Sequence, residues 1–251
     1  MRYLLLFLCF SATAAEKEIY INQAGNLNEV TIVQSGTAGN KIQGLNGSTA
    51  SSITGNSNTV DIKQGSSSSV SPNLIEYAIL GGSNDITLSQ DRLDAGGQNT
   101  GSGGDHDIKL DVDGFSNDIL IIQRSNAGGT VNGHLVELEV TGDSNVIDLK
   151  QIRADTKTID GTVTGDSNNI LVRQRGRATK DLEFDLIGDG HDLEVTQAGE
   201  GEHSLDITLT YGTGPIDADL TQDSHTQNFS YTLEQTCYSS AGCGVSVTQS
   251  D

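Results

Sequence analysis

An apolar–x–apolar–x–Gln pattern recurs nine times along the 251 residues of this chain, and it limits the possible folds more than any other feature. In six copies the pattern follows directly on Gly-x-x-Asn, as in residues 142–151, which read Gly-Asp-Ser-Asn-Val-Ile-Asp-Leu-Lys-Gln. Repeats of roughly 20–50 residues are typical of stacked arrays, because one short unit cannot bury an apolar face alone. The nine glutamines are Gln34, Gln64, Gln90, Gln123, Gln151, Gln174, Gln197, Gln222 and Gln249.

Each unit carries two segments with the period of a β-strand. After the Asn, an aliphatic residue stands at the second and fourth positions, as Ile147 and Leu149 do. Before the Gly, apolar residues alternate with polar ones, as Ile108, Leu110 and Val112 do. A period of two predicts strands with one buried face. We therefore predict an all-β fold: a β-solenoid of about nine stacked strand–turn–strand rungs that form two parallel sheets.

Amide side chains occupy fixed positions in these units. Stacked rungs would place identical amides above one another, so that each could donate to one neighbour and accept from the other. A buried Gln without partners costs free energy, whereas such a ladder satisfies every copy. We predict ladders formed by the nine glutamines and by Asn28, Asn58, Asn84, Asn117, Asn145 and Asn168.

The first unit matches a known motif in full. Residues 23–28 read Gln-Ala-Gly-Asn-Leu-Asn and are followed by Gln34. This resembles the curlin repeat of bacterial curli subunits, Gln-x-Gly-x-x-Asn-x5-Gln, and the resemblance extends over residues 18 to 249. Later units depart from it: aliphatic residues replace the first Gln, and His191, Ile216 and Cys243 replace the Asn in the last three units. The longer connections, as at 91–104, also differ from curli.

The resemblance implies a structural role outside the cell. A curlin-like chain would be an amyloid fibre subunit, or an accessory or nucleator of such a fibre, that assembles by head-to-tail β-stacking. It would contribute to biofilm matrix and cell adhesion. Its partners would be further copies of itself or related fibre subunits. The alternative is a non-polymerising solenoid adhesin on a cell surface or virion that binds through its variable loops.

The N-terminus has the pattern of an export signal. Arg2 precedes the apolar stretch 3–10, and small residues at 12–15 form a cleavage region. We predict a signal peptide at 1–15, with cleavage after Ala14 nearly as good, and a single solenoid domain at 16–251. The protein would then be secreted, extracellular or on a bacterial-type cell surface. No apolar run approaches the roughly 20 residues of a membrane span, so membrane insertion is not expected.

Two cysteines remain after the leader. Cys237 and Cys243 are separated by five residues and are predicted to form a local disulfide in an oxidising compartment. Free thiols are the alternative. A Cys-x5-Cys pair without nearby histidines is a poor zinc site.

The net charge of −20 excludes most nucleic-acid binding, which needs a basic surface. In-register stacking would align Asp111, Glu139 and Asp185 in one outer column. A solvated acidic face is the favoured interpretation, and binding of divalent cations by neighbouring carboxylates is the alternative. His106 and His134 both lie eight residues before a turn glycine, which predicts a stacked surface pair. No loop combines an acid, a base and an aromatic platform, so we expect neither catalysis, as in a polysaccharide-acting enzyme, nor a cofactor.

Overall fold

The structure is a computed structural model. It describes residues 19, 21–25, 27–34, 41–45, 52–64, 73–90, 106–114, 116–124, 133–142, 144–153, 156–165, 167–177, 179–188, 190–212, 216–223, 228–237 and 243–250.

Strands and short connections make up all of the described residues, which contain no helix. The all-β prediction is therefore confirmed. The strands are β1 (Gln23–Ala24), β2 (Leu27–Gln34), β3 (Lys41–Ile42), β4 (Ser52–Gln64), β5 (Asn73–Gln90), β6 (His106–Asp113), β7 (Asp118–Arg124), β8 (His134–Thr141), β9 (Val146–Ile152), β10 (Lys157–Thr164), β11 (Asn169–Arg175), β12 (Lys180–Ile187), β13 (Asp192–Ala198), β14 (His203–Gly212), β15 (Ile216–Asp223), β16 (Phe229–Cys237) and β17 (Cys243–Ser250).

The strands pair in parallel and form two sheets, as predicted for a solenoid. The first sheet contains β1, β3, β6, β8, β10, β12, β14 and β16, and the second contains β2, β7, β9, β11, β13, β15 and β17. The long strands β4 and β5 run through the turn and contribute one half to each sheet. Neighbouring strands in each sheet come from neighbouring units, so the chain winds forward one unit at a time.

The register aligns the repeats without slippage in the second sheet. Gln123 pairs with Gln151, which pairs with Gln174, and all nine glutamines lie in this one column. We call each strand–turn–strand unit a rung and number the rungs from the N-terminus. The described residues of the rungs lie within 19–34, 41–64, 73–90, 106–124, 134–152, 157–175, 180–198, 203–223 and 229–250. Strand spacing of about 4.8 Å separates one rung from the next.

The core is a thin aliphatic layer between the two sheets. Ile147 is 1% exposed and Leu149 is fully buried, as the alternating pattern predicts. Each such side chain contributes about 1.5–3 kcal/mol by leaving water. The first sheet supplies the opposite wall. The column that begins at Gln23 continues there with aliphatic residues, all of them buried: Ile53, Ile79, Val112, Val140, Val163 and Leu186.

In one column of the first sheet, a phenylalanine ring fills the space left by a glycine on the neighbouring rung. Phe184 is fully buried in the seventh rung, and Gly161 holds the same register position in the sixth. A Cβ atom on Gly161 would lie 2.3 Å from Cε2 of Phe184. The aromatic ring therefore occupies the space that a side chain on the sixth rung would need.

Candidate functional site

The glutamine side chains form a continuous hydrogen-bonded ladder from the second rung to the ninth. Each Nε2 donates to Oε1 of the glutamine on the preceding rung, at distances of 2.8–3.1 Å. Gln151 and Gln174 are fully buried members of this ladder, and Gln249 is its exposed end. The backbone of Gln34 is in register with Gln64, but its side chain lies outside the described atoms. The ladder has a direction, because every Nε2 donor points toward the N-terminal end of the solenoid.

The same amide groups also bind main-chain oxygens of the first sheet. Nε2 of Gln123 also donates to the main-chain oxygens of His106, 2.6 Å away in its own rung, and of Leu135, 2.9 Å away in the next rung. The next three interior glutamines repeat the arrangement. An amide nitrogen has two hydrogens, so these three acceptors share them. Each glutamine thus joins two strands and two rungs at once.

The asparagines form a shorter ladder that runs in the opposite direction. Nδ2 of Asn84 donates to Oδ1 of Asn117, and Asn117 to Asn145, both at 3.2 Å. Asn145 donates to Asn168 at 3.2 Å, and Nδ2 of Asn168 lies 3.4 Å from Nδ1 of His191. The histidine that departs from the motif thereby extends this ladder by one rung.

Two of the predicted asparagines lie in the same column but do not join the ladder. Asn28 and Asn58 are in register with Asn84. Nδ2 of Asn28 donates to the main-chain oxygen of Gly25 at 3.2 Å. The amide atoms of Asn58 are buried, and no hydrogen-bond partner for them is found in the described part of the chain. Backbone register alone therefore does not link these side chains.

The turn glycines are required by the close approach of successive rungs. A Cβ atom on Gly165 would lie 1.6 Å from the main-chain oxygen of Gly142, and the corresponding distances at Gly55, Gly81, Gly114, Gly142 and Gly188 are 1.6–1.9 Å. Backbone conformation alone would not explain all of these glycines, because a positive φ occurs in this set only at Gly142 and Gly188. The short distance between successive rungs is therefore the reason that all six turn positions require glycine.

A column of buried basic side chains, which the sequence reasoning missed, begins the first strand of five successive rungs. It contains His106, His134, Lys157, Lys180 and His203, each at most 2% exposed and in register with the next. We call this set the basic column. The prediction that His106 and His134 form a surface pair was wrong in one respect: the rings stack, with centroids 4.9 Å apart and planes 12° from parallel, but they are buried. The eight-residue spacing to the turn glycine, extended to Lys157 and Lys180, was the available signal.

Lys180 of the basic column reaches the connections between rungs. Its Nζ donates to the main-chain oxygen of Arg177 at 2.6 Å and lies 3.5 Å from that of Glu200. Burial lowers the pKa of Lys180 to about 8. Nε2 of His203 lies 3.0 Å from the main-chain oxygen of Gly199 in a similar connection. These contacts tie two short connections to the core.

The predicted acidic column lies in register on the outer face of the first sheet. Asp111 pairs with Glu139, and Thr162 separates Glu139 from Asp185. Burial and the neighbouring Glu139 and Asp113 carboxylates raise the pKa of Asp111. Among the described residues, no group of three or more His, Cys, Asp or Glu side chains is arranged to hold a metal ion. Cation binding therefore stays a prediction.

The two end rungs differ in exposure. In the ninth rung Tyr231 is 49% exposed and Val247 37%, whereas Leu205 and Leu220, which precede them in the same columns, are at most 2% exposed. In the first rung, Ile32 shares the column of Val247 and is only 4% exposed, and Val30 beside it is 7% exposed. The C-terminal end of the solenoid is therefore an open sheet end with an apolar face.

Two predictions concern residues that the structure does not describe. The signal peptide at 1–15 lies outside the described residues, as does the side chain of Cys237, so the signal peptide and the Cys237–Cys243 disulfide stay predictions. In the described part of the chain, no helix is long and apolar enough to cross a membrane.

Comparisons of the chain with protein-family models, with curated proteins and with solved structures find no match. The likeness to the curlin repeat therefore rests on the residues that carry the motif.

Proposed function

We propose that this protein is a secreted structural protein of a curli-like fibre, as a subunit or as an accessory or nucleator, and that it assembles by head-to-tail β-stacking. The observation that supports this most is the open ninth rung. β16 pairs with β14 and β17 with β15, and no described strand pairs with the opposite edge of either. An unpaired edge that exposes the core columns is a template for a further rung.

The Gln ladder ends at the ninth rung with a hydrogen-bond acceptor. Gln249 donates to Gln222 at 2.8 Å, so its own Oε1 is the acceptor that the next rung of a ladder would use. A second copy that placed its first rung on the ninth would supply a glutamine, Gln34, at the matching position. Head-to-tail stacking would thus continue both the sheet and the ladder.

Charge also supports contact between the end rungs. The protein carries a net charge of −20, which opposes association of its copies. The first and ninth rungs, however, contain one charged residue each, Glu29 and Glu234. The seventh rung, in contrast, contains six carboxylates at Asp181, Glu183, Asp185, Asp189, Asp192 and Glu194. Repulsion between stacked copies is therefore smallest where they would touch.

The covered first rung supports the second candidate, a non-polymerising adhesin. Because Val30 and Ile32 are already buried, the first rung offers a second copy less apolar surface than the ninth rung does. An adhesin would instead use the variable connections between rungs for its contacts, and its localisation would again be extracellular.

Electron microscopy with an amyloid-dye assay on the purified protein distinguishes these candidates. A fibre protein is expected to yield unbranched fibres and dye binding above a threshold concentration, sooner when salt or calcium screens the charge. Monomers at every concentration and salt condition would favour the adhesin.

A further inference from the structure

The basic column places five basic side chains in a continuous row inside the solenoid. Consecutive members are direct register partners, which separates them by about one strand spacing, 4.8 Å. Like charges at this distance inside a protein repel strongly. The column is therefore compatible with a closed solenoid only while some of its members stay neutral.

The fourth and fifth rungs supply two adjacent histidines of the column, and a third histidine, His203, lies at its far end beside Lys180. The His106 and His134 rings are stacked and each is 2% exposed. Nδ1 of His106 is buried, and no hydrogen-bond partner for it is found among the described residues. A second proton on this ring would therefore be a buried charge next to another imidazole.

The described groups that the column and the second sheet place next to the stack carry no negative charge. The fifth rung is followed by Lys157 and then Lys180 in the same column. From the second sheet, the neutral amides of Gln123 and Gln151 approach the main-chain oxygens of the two histidines. On the preceding rung Asn73 holds the same position as His106. The charged groups that act on His134 are His106 and Lys157, both of which oppose a positive charge.

We propose that the His106–His134 stack is an acid-sensitive point of the solenoid, where protonation of either ring favours separation of the fourth rung from the fifth. Separation would expose new strand edges in the middle of the chain. This response of the histidine stack to acid does not depend on fibre assembly and would occur in the monomer.

The direction of the pH effect follows from proton linkage. Burial lowers the pKa of His106 from its ordinary 6.5 to about 4, and burial with the neighbouring His106 and Lys157 lowers the pKa of His134 well below 6.5. The folded protein thus holds these protons less tightly than the unfolded chain. The stability of the closed form is complete above pH 6.5 and falls as the pH falls toward 4. His106 alone shifts the opening equilibrium about 30-fold between pH 7.5 and pH 5.

Hydrogen–deuterium exchange of the full chain at pH 7.5 and pH 5 tests this, with rates corrected for intrinsic exchange. The wild-type protein is expected to lose protection in residues 106–124 and 134–152 by at least about 30-fold more than the double variant His106→Phe/His134→Phe. Phenylalanine is suitable because Phe229 occupies this column on the ninth rung. His191→Asn, a buried histidine outside the column, is the matched control and should respond as wild type does.

Equal pH responses of the wild type and the double variant would overturn the proposal. If the double variant does not fold, NMR titration of the imidazoles in the wild-type protein decides. A pKa below 6 for both rings would support the proposal, and a pKa of 6.5 or above for both would overturn it.

Discussion

A Cβ atom on Gly165 would lie 1.6 Å from the main-chain oxygen of Gly142 on the preceding rung. The same relationship recurs along the column of turn glycines, so it is a property of the stack and not of one turn. The solenoid tolerates no side chain at this point unless the rungs move apart.

Gly165→Ala is therefore expected to destabilise the protein by at least about 1–3 kcal/mol, the usual range for overpacking a rigid site. Chemical denaturation measures the loss. Ser167→Ala, at an exposed position of the same turn, is the control and should change stability by less than about 0.5 kcal/mol. An unchanged stability of Gly165→Ala would contradict the close approach of successive rungs at this turn.

Gly161 and Phe184 should be energetically coupled. Gly161→Ala is expected to cost about 1–3 kcal/mol, because its Cβ would contact the Phe184 ring at 2.3 Å. In a Phe184→Leu background the same change should cost much less, which gives a coupling of about 0.5–3 kcal/mol. A double-mutant cycle by urea denaturation measures this coupling, and additive effects would contradict the packing described.

The Gln ladder should be most sensitive in its interior. Gln174→Leu removes the donor for Gln151 and the acceptor for Gln197, and leaving buried amides unpaired is expected to cost about 1–3 kcal/mol. Gln249→Leu at the exposed end removes a hydrogen bond from Gln222 alone and should reduce the stability by less. Thermal unfolding compares the two variants. A larger effect at position 249 would argue against a stabilising ladder.

The Cys237–Cys243 disulfide is expected to act locally. The loop it would close is short, so its effect on the unfolded chain is small and reduction should loosen the ninth rung without unfolding the others. Thiol titration under denaturing conditions checks that the bond exists, and hydrogen exchange before and after reduction checks its range. Global unfolding on reduction would contradict a local role.

The alternation of apolar and polar residues was enough to predict the fold. It places the side chains of Ile147 and Leu149 in the core, whatever the position of their strand in the stack. The repeated Gln spacing likewise predicted the column that aligns Gln123 with Gln151. The basic column was harder to predict, because a histidine eight residues before a glycine is as compatible with a surface as with a core. Whether an amide in register finds a partner depends on its side-chain rotamer, and for this reason Asn58 could not be distinguished from Asn117.

The most direct test of the proposed assembly uses two charges on opposite sides of the last strand. Val247 lies on the exposed core column of the ninth rung, and Ser246 points to the outer face. Both positions are accessible, so an aspartate at either should leave the monomer folded. Only the one at 247 would place a carboxylate in the interface of a stacked copy.

Sedimentation and electron microscopy of the wild type, Val247→Asp and Ser246→Asp, at equal concentration and salt, measure the assembly. Head-to-tail stacking predicts fibres from the wild type and Ser246→Asp, and soluble monomers from Val247→Asp. Monomers from all three proteins, or fibres from Val247→Asp at the wild-type rate, would contradict stacking through the ninth rung.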